Sequence, residues 1–424
     1  MDPFDRLGKE GLEWTQRGPA QPNEDDFPRL TTYTTGKFVD MATSQARHWR
    51  TAAQALALVR RRDSLTRTEL TSLLGLRSGP ISDLVKRLVL ARLIEEAPAA
   101  IEGPGRPTST LHAHPNGPVA IVLDLRHGDW RLGVCELDGS VHITAHGAHD
   151  ISNPPMLLDT IASHFKTLTT SLGSRAIGVG VAVPGIVMDG RANMTMRRWP
   201  DIDMSPLVNA TSLPFVLRND ATLAGMAEAR RHPVELNSLL HIVVEVGVGG
   251  AFVVDGQPVP SAHGLHGEFG HLPFGNPEVE CACGARGCWT IAFDIPEITR
   301  RTGLEPGDDP RAWLHTIFTN ADKSETIQEL RASLAASLGR GIAGLVNALD
   351  PALVTLGGLA NDVRHASPTS FEQSFDTGLM RDHRAAPPPV TPAQAGELAT
   401  MVGAGLSVFD EIFDAEFLAR WASQ

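Results

Sequence analysis

One short segment brings together an imidazole and three thiols, and it constrains the fold more than any other feature of the sequence. The four side chains are those of His271, Cys281, Cys283 and Cys288. A tetrahedral Zn²⁺ ion takes four nitrogen or sulfur ligands, so this set leaves no coordination position open for catalysis. Gly284 and Gly287 allow the backbone to turn tightly enough for the thiols to converge. The segment predicts a structural zinc site, one ion per subunit, whose binding energy stabilises the loop 271–288.

The cysteine content and the lack of targeting patterns indicate the cellular compartment in which the protein is expected. Four cysteines in 424 residues do not make the disulfide framework of a secreted protein, and the fourth, Cys135, lies in an apolar run typical of a core strand. Residues 1–5 lack the basic and apolar regions of a signal peptide, and no run approaches the roughly 20 apolar residues that span a bilayer. These observations predict a soluble cytoplasmic protein without membrane contact.

Charge is distributed unevenly along the chain. The formal net charge is −12, yet residues 41–110 hold 11 Lys or Arg against 6 Asp or Glu, and the rest of the chain carries −17. A small basic module on an acidic body suits a protein that contacts DNA phosphates through the module alone. The alternative is that the arginine-rich helices are ordinary solvated faces.

Residues 43–97 have the pattern of a helix-turn-helix. A first amphipathic helix is followed by a hydroxyl-x-x-carboxylate capping box at Thr66 and Glu69, and Gly75 ends the short second helix. Ser78 is predicted to cap a third helix, whose apolar face consists of Ile81, Leu84, Val85, Leu88 and Val89. A plain helical bundle fits these three helices equally well. The polar, acidic residues 1–42 are interpreted as a flexible tail.

Residues on and around the third helix are candidates for DNA contact, because such helices enter the major groove by their N-terminal ends. Segments 93–96 and 110–112 are predicted to pair as two strands of a wing. An arginine on the glycine- and proline-rich loop between them has a shape suited to a minor groove. Residues 98–118 would then be both wing and linker, whereas the alternative is a linker only. The predicted DNA-binding residues are Arg67, Arg77, Ser78, Gly79, Ser82, Lys86 and Arg106.

The body, residues 119–424, has two β-rich openings. Strands are predicted at 119–124, 130–137 and 141–148, with a helix near 156–172 and a strand at 177–183. A similar opening starts at 239–245, where glycines at 247–250 predict a turn before further strands. Two related openings, each followed by helices, predict two α/β lobes with a cleft between them.

The segment Gly267-Glu268-Phe269-Gly270-His271, together with the cysteine run that follows it, resembles the zinc-loop signature of the ROK family of repressors, open reading frames and kinases. Val183-Pro184-Gly185, Asn219-Asp220-Ala221, the glycine turn at 247–250, Asp350-Pro351 and Gly357-Gly358 follow in the family's order. The resemblance covers roughly residues 45–410. It implies an α/β fold in which a winged helix-turn-helix precedes a two-lobed, actin-like body of the sugar-kinase and ribonuclease-H type.

Two further features separate regulators from kinases within this family. Its regulators carry a Gly-Arg-Pro sequence after the DNA-binding module, as Gly105-Arg106-Pro107 does here. Its kinases need an Asp-x-Gly-Gly-Thr-like turn that cradles phosphate, whereas residues 124–128 read Asp-Leu-Arg-His-Gly. The resemblance therefore implies a regulator rather than an enzyme.

The resemblance also implies a ligand site in the cleft, because amides and carboxylates in the family's order suit sugar hydroxyls. The implied effector-binding residues are Asn193, Asn219, Asp220, Glu268 and His271. Asp220 would be the general base of a kinase and an anchor for a hydroxyl in a regulator. Thr290 stands where the family usually has a glutamate that contacts the sugar, which puts a common hexose in doubt.

Three hypotheses remain, in order of preference. The first is a homodimeric or homotetrameric regulator that binds double-stranded operator DNA and responds to a sugar-like effector. The second is an ATP-dependent sugar kinase with an accessory DNA-binding module. The third is a dimeric DNA-binding regulator whose body no longer binds a ligand.

Overall fold

Three helices and a small sheet form the N-terminal part of the protein. The computed structural model describes residues 43–424 except 63–64, 99–108, 127, 149–152, 189, 195–198, 234, 263–264, 266, 308 and 321–323. The first elements are α1 (Thr43–Arg60), β1 (Leu65–Thr66), α2 (Arg67–Leu74), α3 (Ser78–Leu90), β2 (Ile94–Pro98) and β3 (Ser109–Ala113). The predicted tail 1–42 and the loop that carries Arg106 lie outside the described residues.

Local signals account for the ends of α2. Thr66 caps the helix, since its hydroxyl accepts from the Glu69 backbone N–H and the Glu69 carboxylate accepts from the Thr66 backbone N–H, which confirms the predicted capping box. Gly75 ends α2 in the left-handed region at φ 62°, where glycine is favoured. The prediction that Ser78 caps α3 is wrong: the helix begins at Ser78, and its N-cap is Arg77, which makes no side-chain capping bond.

The two predicted strands pair as an antiparallel hairpin. Ile94 of β2 lies opposite Ala113 of β3, and β1 adds a third strand on the other side of β3. On α3, four of the five apolar residues expected to face the core, Ile81, Leu84, Val85 and Leu88, are buried. The hairpin and the buried face of α3 thus pack with α1 and α2 in a core that continues into the body.

The first lobe of the body is built on a mixed five-stranded sheet in the order β11-β7-β4-β5-β6. Strands β4 to β6 form an antiparallel meander, and β7 and β11 run parallel to β4. The elements are β4 (Val119–Leu125), β5 (Asp129–Cys135), β6 (Val141–Ala148), α4 (Pro154–Leu172), β7 (Ala176–Val183), β8 (Ile186–Met188), β9 (Arg191–Met194), β10 (Trp199–Asp203), α5 (Ser205–Val208), β11 (Phe215–Asn219) and α6 (Asp220–Ala229).

The second lobe has a five-stranded sheet of the same topology. Read in the same direction as the first sheet, its strand order is β16-β15-β12-β13-β14, so β12 corresponds to β4. Its elements are β12 (Ser238–Val244), β13 (Val248–Val254), β14 (Gln257–Pro258), α7 (Ile295–Thr302), α8 (Pro310–Thr319), α9 (Glu325–Leu349), β15 (Leu353–Gly358), α10 (Ala360–Ala366), α11 (Pro368–Gly378), α12 (Arg381–Ala385) and β16 (Val390–Pro392). The chain then returns to the first sheet with α13 (Ala399–Ile412) and to α1 with α14 (Ala415–Trp421). The repeated order bears out the prediction of two related lobes. The glycine turn is shorter than predicted, because Gly249 and Gly250 belong to β13.

Helices α6 and α13 lie between the two sheets and pack against each other. One core is continuous from α1–α3 through the first sheet to α13 and α14. The C-terminal helix is fastened to the N-terminal part, because the Trp421 Nε1–H donates to the Ala91 carbonyl at 2.8 Å. Contacts therefore run from the N-terminal helices into the centre of the body.

Among the described residues, α9 alone is long and apolar enough to cross a bilayer, and 56% of its most apolar stretch is buried inside the protein. Such burial is what the core helix of a globular body shows.

Candidate metal cluster and interlobe site

The predicted metal ligands converge at one point. The ligand atoms of His271, Cys281, Cys283 and Cys288 all lie within 4.8 Å of one another. The sulfurs of Cys283 and Cys288 are 3.6 Å apart, and Cys281 Sγ is 3.7 Å from His271 Nδ1. Zinc–sulfur bonds of about 2.3 Å and zinc–nitrogen bonds of about 2.1 Å place tetrahedral ligands roughly 3.5–3.8 Å apart. The donor set and its spacing fit a tetrahedral ion.

Backbone hydrogen bonds hold the loop in this form. The Cys281 N–H donates to Ala285 O at 2.7 Å, and the Gly284 N–H donates to Cys281 O at 2.9 Å. Cys281 and Cys288 are buried, whereas Cys283 is exposed. The cluster thus lies at the surface end of a loop whose inner ligands face the core.

The two ring nitrogens of His271 face different groups. Nδ1 lies toward the thiols, and Nε2 lies 3.8 Å from Glu268 Oε2. A histidine ligand bound to a metal through one nitrogen is oriented by a partner at the other. Glu268 therefore lies beside the ring nitrogen of His271 that faces away from the thiols.

Asn219 and Asp220 lie where β11 passes into α6, at the cleft. The Asn219 side chain caps α6 by accepting from the Thr222 N–H at 3.0 Å, and its Nδ2 donates to Gly185 O at 3.1 Å. The predicted residue Asn193 lies beside them, since a Cβ on Gly185 would be 2.3 Å from Asn193 O. Gly185 thus contacts the backbone of Asn193 and the side chain of Asn219, and Asp220 follows Asn219 at the start of α6.

Asp220 is part of a wider group of carboxylates. Its Oδ1 accepts from the Ala221 N–H at 2.7 Å. Burial, and then the negative charge of Asp124, raise the pKa of Asp220 to about 7, with smaller contributions from Glu245 and Glu268. Burial likewise raises the pKa of Asp124 and of Glu268 to about 7. Four acidic groups therefore share the cleft, and they favour protonation or a partner rich in hydrogen-bond donors.

Glu245 occupies the turn between β12 and β13. Its carboxylate pairs with Arg311 at 2.6 Å, and Oε1 lies 2.7 Å from where a Cβ on Gly358 would be. The backbone N–H of Val248, at the end of the same turn, donates to Thr290 Oγ1 at 3.1 Å. The turn between β12 and β13 thus contains the Glu245 carboxylate, and the Val248 N–H at its end is already hydrogen-bonded to Thr290.

The predicted DNA-binding residues divide into an exposed set and a tethered set. Arg77, Ser78, Gly79 and Lys86 are exposed at and after the start of α3. Arg67 is instead paired with Glu96 of β2, and its Nη1 donates to Ser82 Oγ at 3.5 Å. The structure thus leaves the N-terminal end of α3 open to solvent, while Arg67 and Ser82 contact each other.

Comparison with known proteins identifies the body. The model of the family described as "ROK family" matches residues 129–410. This chain belongs to the ROK family. It is 29% identical over 256 residues to the kanosamine kinase of Amycolatopsis mediterranei, covering 58% of this chain and 82% of that protein. It is 22% identical over 321 residues to a xylose repressor homologue of Caldicellulosiruptor sp., covering 70% of this chain and 80% of that protein.

Solved ROK structures show the same fold. A ROK family transcriptional regulator, described as a homologue of the E. coli MLC protein, matches 89% of this chain and 100% of its own with a TM-score of 0.69 at 21% identity. A ROK glucokinase from Streptomyces griseus, in complex with glucose and AMPPNP, matches 68% of this chain and 98% of its own with a TM-score of 0.56 at 23% identity. The body therefore has the actin-like sugar-kinase fold that the ROK resemblance implied.

Glu245 and Asp124 belong to the group of carboxylates, although no sequence motif singles out either residue. Each is an acidic residue at the carboxyl end of the first strand of a lobe, Asp124 within β4 and Glu245 directly after β12. In the sequence, the signal for both residues is an acidic residue at the end of an apolar run, one in each half of the body. Only the ROK fold shows that both ends meet at the cleft.

Proposed function

We propose that this ROK protein is a transcription regulator that binds operator DNA through a winged helix-turn-helix and binds a sugar or sugar-like effector in the cleft. The module would comprise residues 43–97, with a wing and linker at 98–118 and the ligand-binding body at 119–424. Because its partner is DNA, we place the protein in the cytoplasm, as a homodimer or homotetramer.

One observation carries the choice of a regulator over a kinase. A nucleotide phosphate is held by backbone N–H groups that have no other partner, and a carboxylate beside it repels it unless a metal ion bridges the two. The turn after β12 instead holds the Glu245 carboxylate, and its Val248 N–H is bonded to Thr290. Both features oppose the binding of ATP phosphates there.

The DNA-binding role rests on the N-terminal elements. An antiparallel hairpin follows α3, as in a winged helix-turn-helix, and the first residues of α3 are exposed. The likeness to the ROK regulator extends over 89% of the chain, against 68% for the ROK glucokinase. The added coverage favours a regulator, since the body alone accounts for the shorter match.

We assign Zn²⁺ to the cluster of His271, Cys281, Cys283 and Cys288, where it would hold the loop closed and fix the orientation of His271. Through His271 the ion would also set the position of Glu268. Asp220, Glu268, Asn219 and Asn193 would then accept and donate hydrogen bonds to the hydroxyl groups of an effector.

The test of DNA binding uses an operator found by genome-wide footprinting of the full-length protein. Lys86→Ala is expected to weaken operator binding by about tenfold and to lower the salt dependence by about one counterion. Arg106→Ala should also weaken binding. Lys166→Ala, an exposed lysine on α4, is the matched control and should bind as the wild type does. Equal affinity for all four proteins would contradict the proposed interface.

A sugar kinase is the second candidate, and the position of Asp220 at the start of α6 favours it, as do the kinase relatives. An assay of phosphoryl transfer from ATP to a panel of monosaccharides decides between the two. We expect no transfer, because of Glu245. Turnover at about 1 s⁻¹ or faster, the usual range for kinases, would show that the protein is a sugar kinase and would contradict the proposed regulator.

A further inference from the structure

Two arginines meet in the protein interior where α1 joins the body. Arg60 is the last residue of α1 and is 5% exposed, and Arg230 follows α6 directly. Arg60 Nη1 lies 3.3 Å from Asp410 Oδ1, and the guanidinium lies over the Phe409 ring at 4.6 Å. Arg60 Nε, Arg60 Nη2 and Arg230 Nη2 are buried and have no hydrogen-bond partner among the described residues.

The charges at this joint do not balance. Among the described residues that line this joint, Arg60, Arg61 and Arg230 face one carboxylate, that of Asp410, which also accepts from Gln257 Nε2 at 3.0 Å. Burial raises the pKa of the nearby Cys135 thiol to about 12, so it stays uncharged at neutral pH. Burial lowers the pKa of Arg230 to about 9, which still leaves it protonated at neutral pH. An excess of positive charge is therefore enclosed, and such burial is costly without a counterion.

The same side chains enclose a cavity. Arg60, Arg61, Arg230 and Asp410 line it together with the apolar side chains of Ala57 and Leu406. Its volume of about 10 Å³ leaves room for roughly one water-sized body. The buried N–H groups without a partner face this small space, and a single monatomic anion placed there would accept from them.

We infer that this cavity binds one chloride ion, which accepts from the unpartnered N–H groups of Arg60 and Arg230 and joins α1 to the body. The site lies at the far end of α6 from Asp220, so one helix connects it to the cleft. Chloride occupancy thereby ties the position of α1 to that of α6. The chloride site does not depend on the proposed binding of DNA or effector. A failed test of the chloride site would therefore leave the proposed function standing, and the reverse also holds.

Crystallography with bromide is the direct test. Crystals of the full-length protein in sodium bromide are expected to give an anomalous peak at the bromine edge between Arg60 and Arg230. Density there without an anomalous signal would identify a water molecule and overturn the inference.

Thermal unfolding tests the same site in solution. At matched ionic strength, replacing sodium gluconate by sodium chloride should raise Tm by about 2 °C once chloride exceeds its Kd about tenfold, and the rise should saturate. Arg230→Met should abolish the chloride-specific rise. Arg231→Met, the exposed neighbour, should keep it. Equal Tm in the two salts for the wild type, or a rise with phosphate alone, would refute a chloride site.

Discussion

Thr290 shows how one residue can both close one site and alter another. Its hydroxyl accepts from the Val248 N–H, so it occupies a backbone donor in the turn after β12. The resemblance to ROK proteins implies a glutamate at this position, so the proposed effector site would have one acceptor fewer for a sugar. Under the proposed function, this one residue would both disfavour phosphate binding and change the set of ligands that the effector site can select.

The cysteine cluster provides the first prediction at this scale. Cys283→Ser should lower the zinc content from about one ion per chain to well below half, because a serine hydroxyl is a far poorer ligand for zinc than a thiolate. The loss should also lower Tm, since metal binding stabilises the loop. Metal analysis by mass spectrometry measures the content. Cys135→Ala, which changes the cysteine buried in β5, should retain zinc; loss of zinc from both variants alike would contradict the assignment.

Asp220 provides a prediction about pH. Its pKa is raised from 3.8 to about 7, so the native state disfavours the ionised form. The resulting cost is absent below about pH 4 and complete above about pH 7, so this group lowers stability as pH rises between them. Asp220→Asn should therefore be more stable than the wild type at pH 8, by about 1 kcal/mol after allowance for solvent in the open cleft.

Thermal unfolding at pH 8 and pH 5 measures this difference, which should shrink at the lower pH. Asp159→Asn, on the exposed face of α4, should leave the pH dependence unchanged. An advantage of Asp220→Asn that grows as the pH falls would show that the sign is wrong.

At the scale of elements, helix α14 connects the end of the chain to its N-terminal part. Phe413, Phe417 and Trp421 follow one another along the chain with ring centroids 5.5 and 6.3 Å apart. Trp421 donates to Ala91 just after α3, and α14 packs on α1. The predicted DNA-reading helix is therefore supported by the last helix of the body.

Trp421→Ala should loosen this support. Because Trp421 is half-buried, the expected loss is about 1–2 kcal/mol, less than for a fully buried aromatic residue. Hydrogen–deuterium exchange should rise in α1 and α3 and stay unchanged in α9. Trp421→Phe keeps an aromatic ring and loses the hydrogen bond, so its exchange rates in α1 and α3 should lie between those of the wild type and of Trp421→Ala. Equal exchange in α1 and α3 for all three proteins would show that α14 does not support them.

What the sequence predicted well was local. The capping box of Thr66 and Glu69 lies within four residues and the four metal ligands within one loop, 271–288, so the sequence pattern contains the geometry. The N-cap of α3 was misplaced because Ser78 has the right side chain but already lies within the helix. Glu245 and the burial of Arg60 depend on contacts with Arg311 and with α13, far along the chain. No local pattern reports such contacts.

At the scale of the whole molecule, α6 joins the parts that a regulator must couple. It begins at Asp220 in the cleft, packs on α13 between the lobes, and ends beside Arg230 at the joint with α1. A ligand can change DNA affinity only by binding one arrangement of lobes and DNA-binding modules better than another. A shift of α6 on ligand binding would reach α1 through this joint and change the spacing of the two α3 helices in a dimer.

This route predicts separable effects of cleft substitutions. Asp220→Ala and Glu268→Ala should keep operator affinity within about twofold of the wild type, because neither residue lies in the N-terminal module. Both substitutions should abolish the change in operator affinity that effector causes. The usual coupling free energy between two binding sites is about 1–3 kcal/mol, which corresponds to a change in affinity of about 5–150-fold. Operator titrations with and without each member of a monosaccharide panel measure the response, and Asp159→Ala serves as the exposed control. A cleft variant that responds with unaltered effector affinity would move the sensing site elsewhere, whereas weakened operator binding without effector would show that the cleft also supports the DNA-binding state.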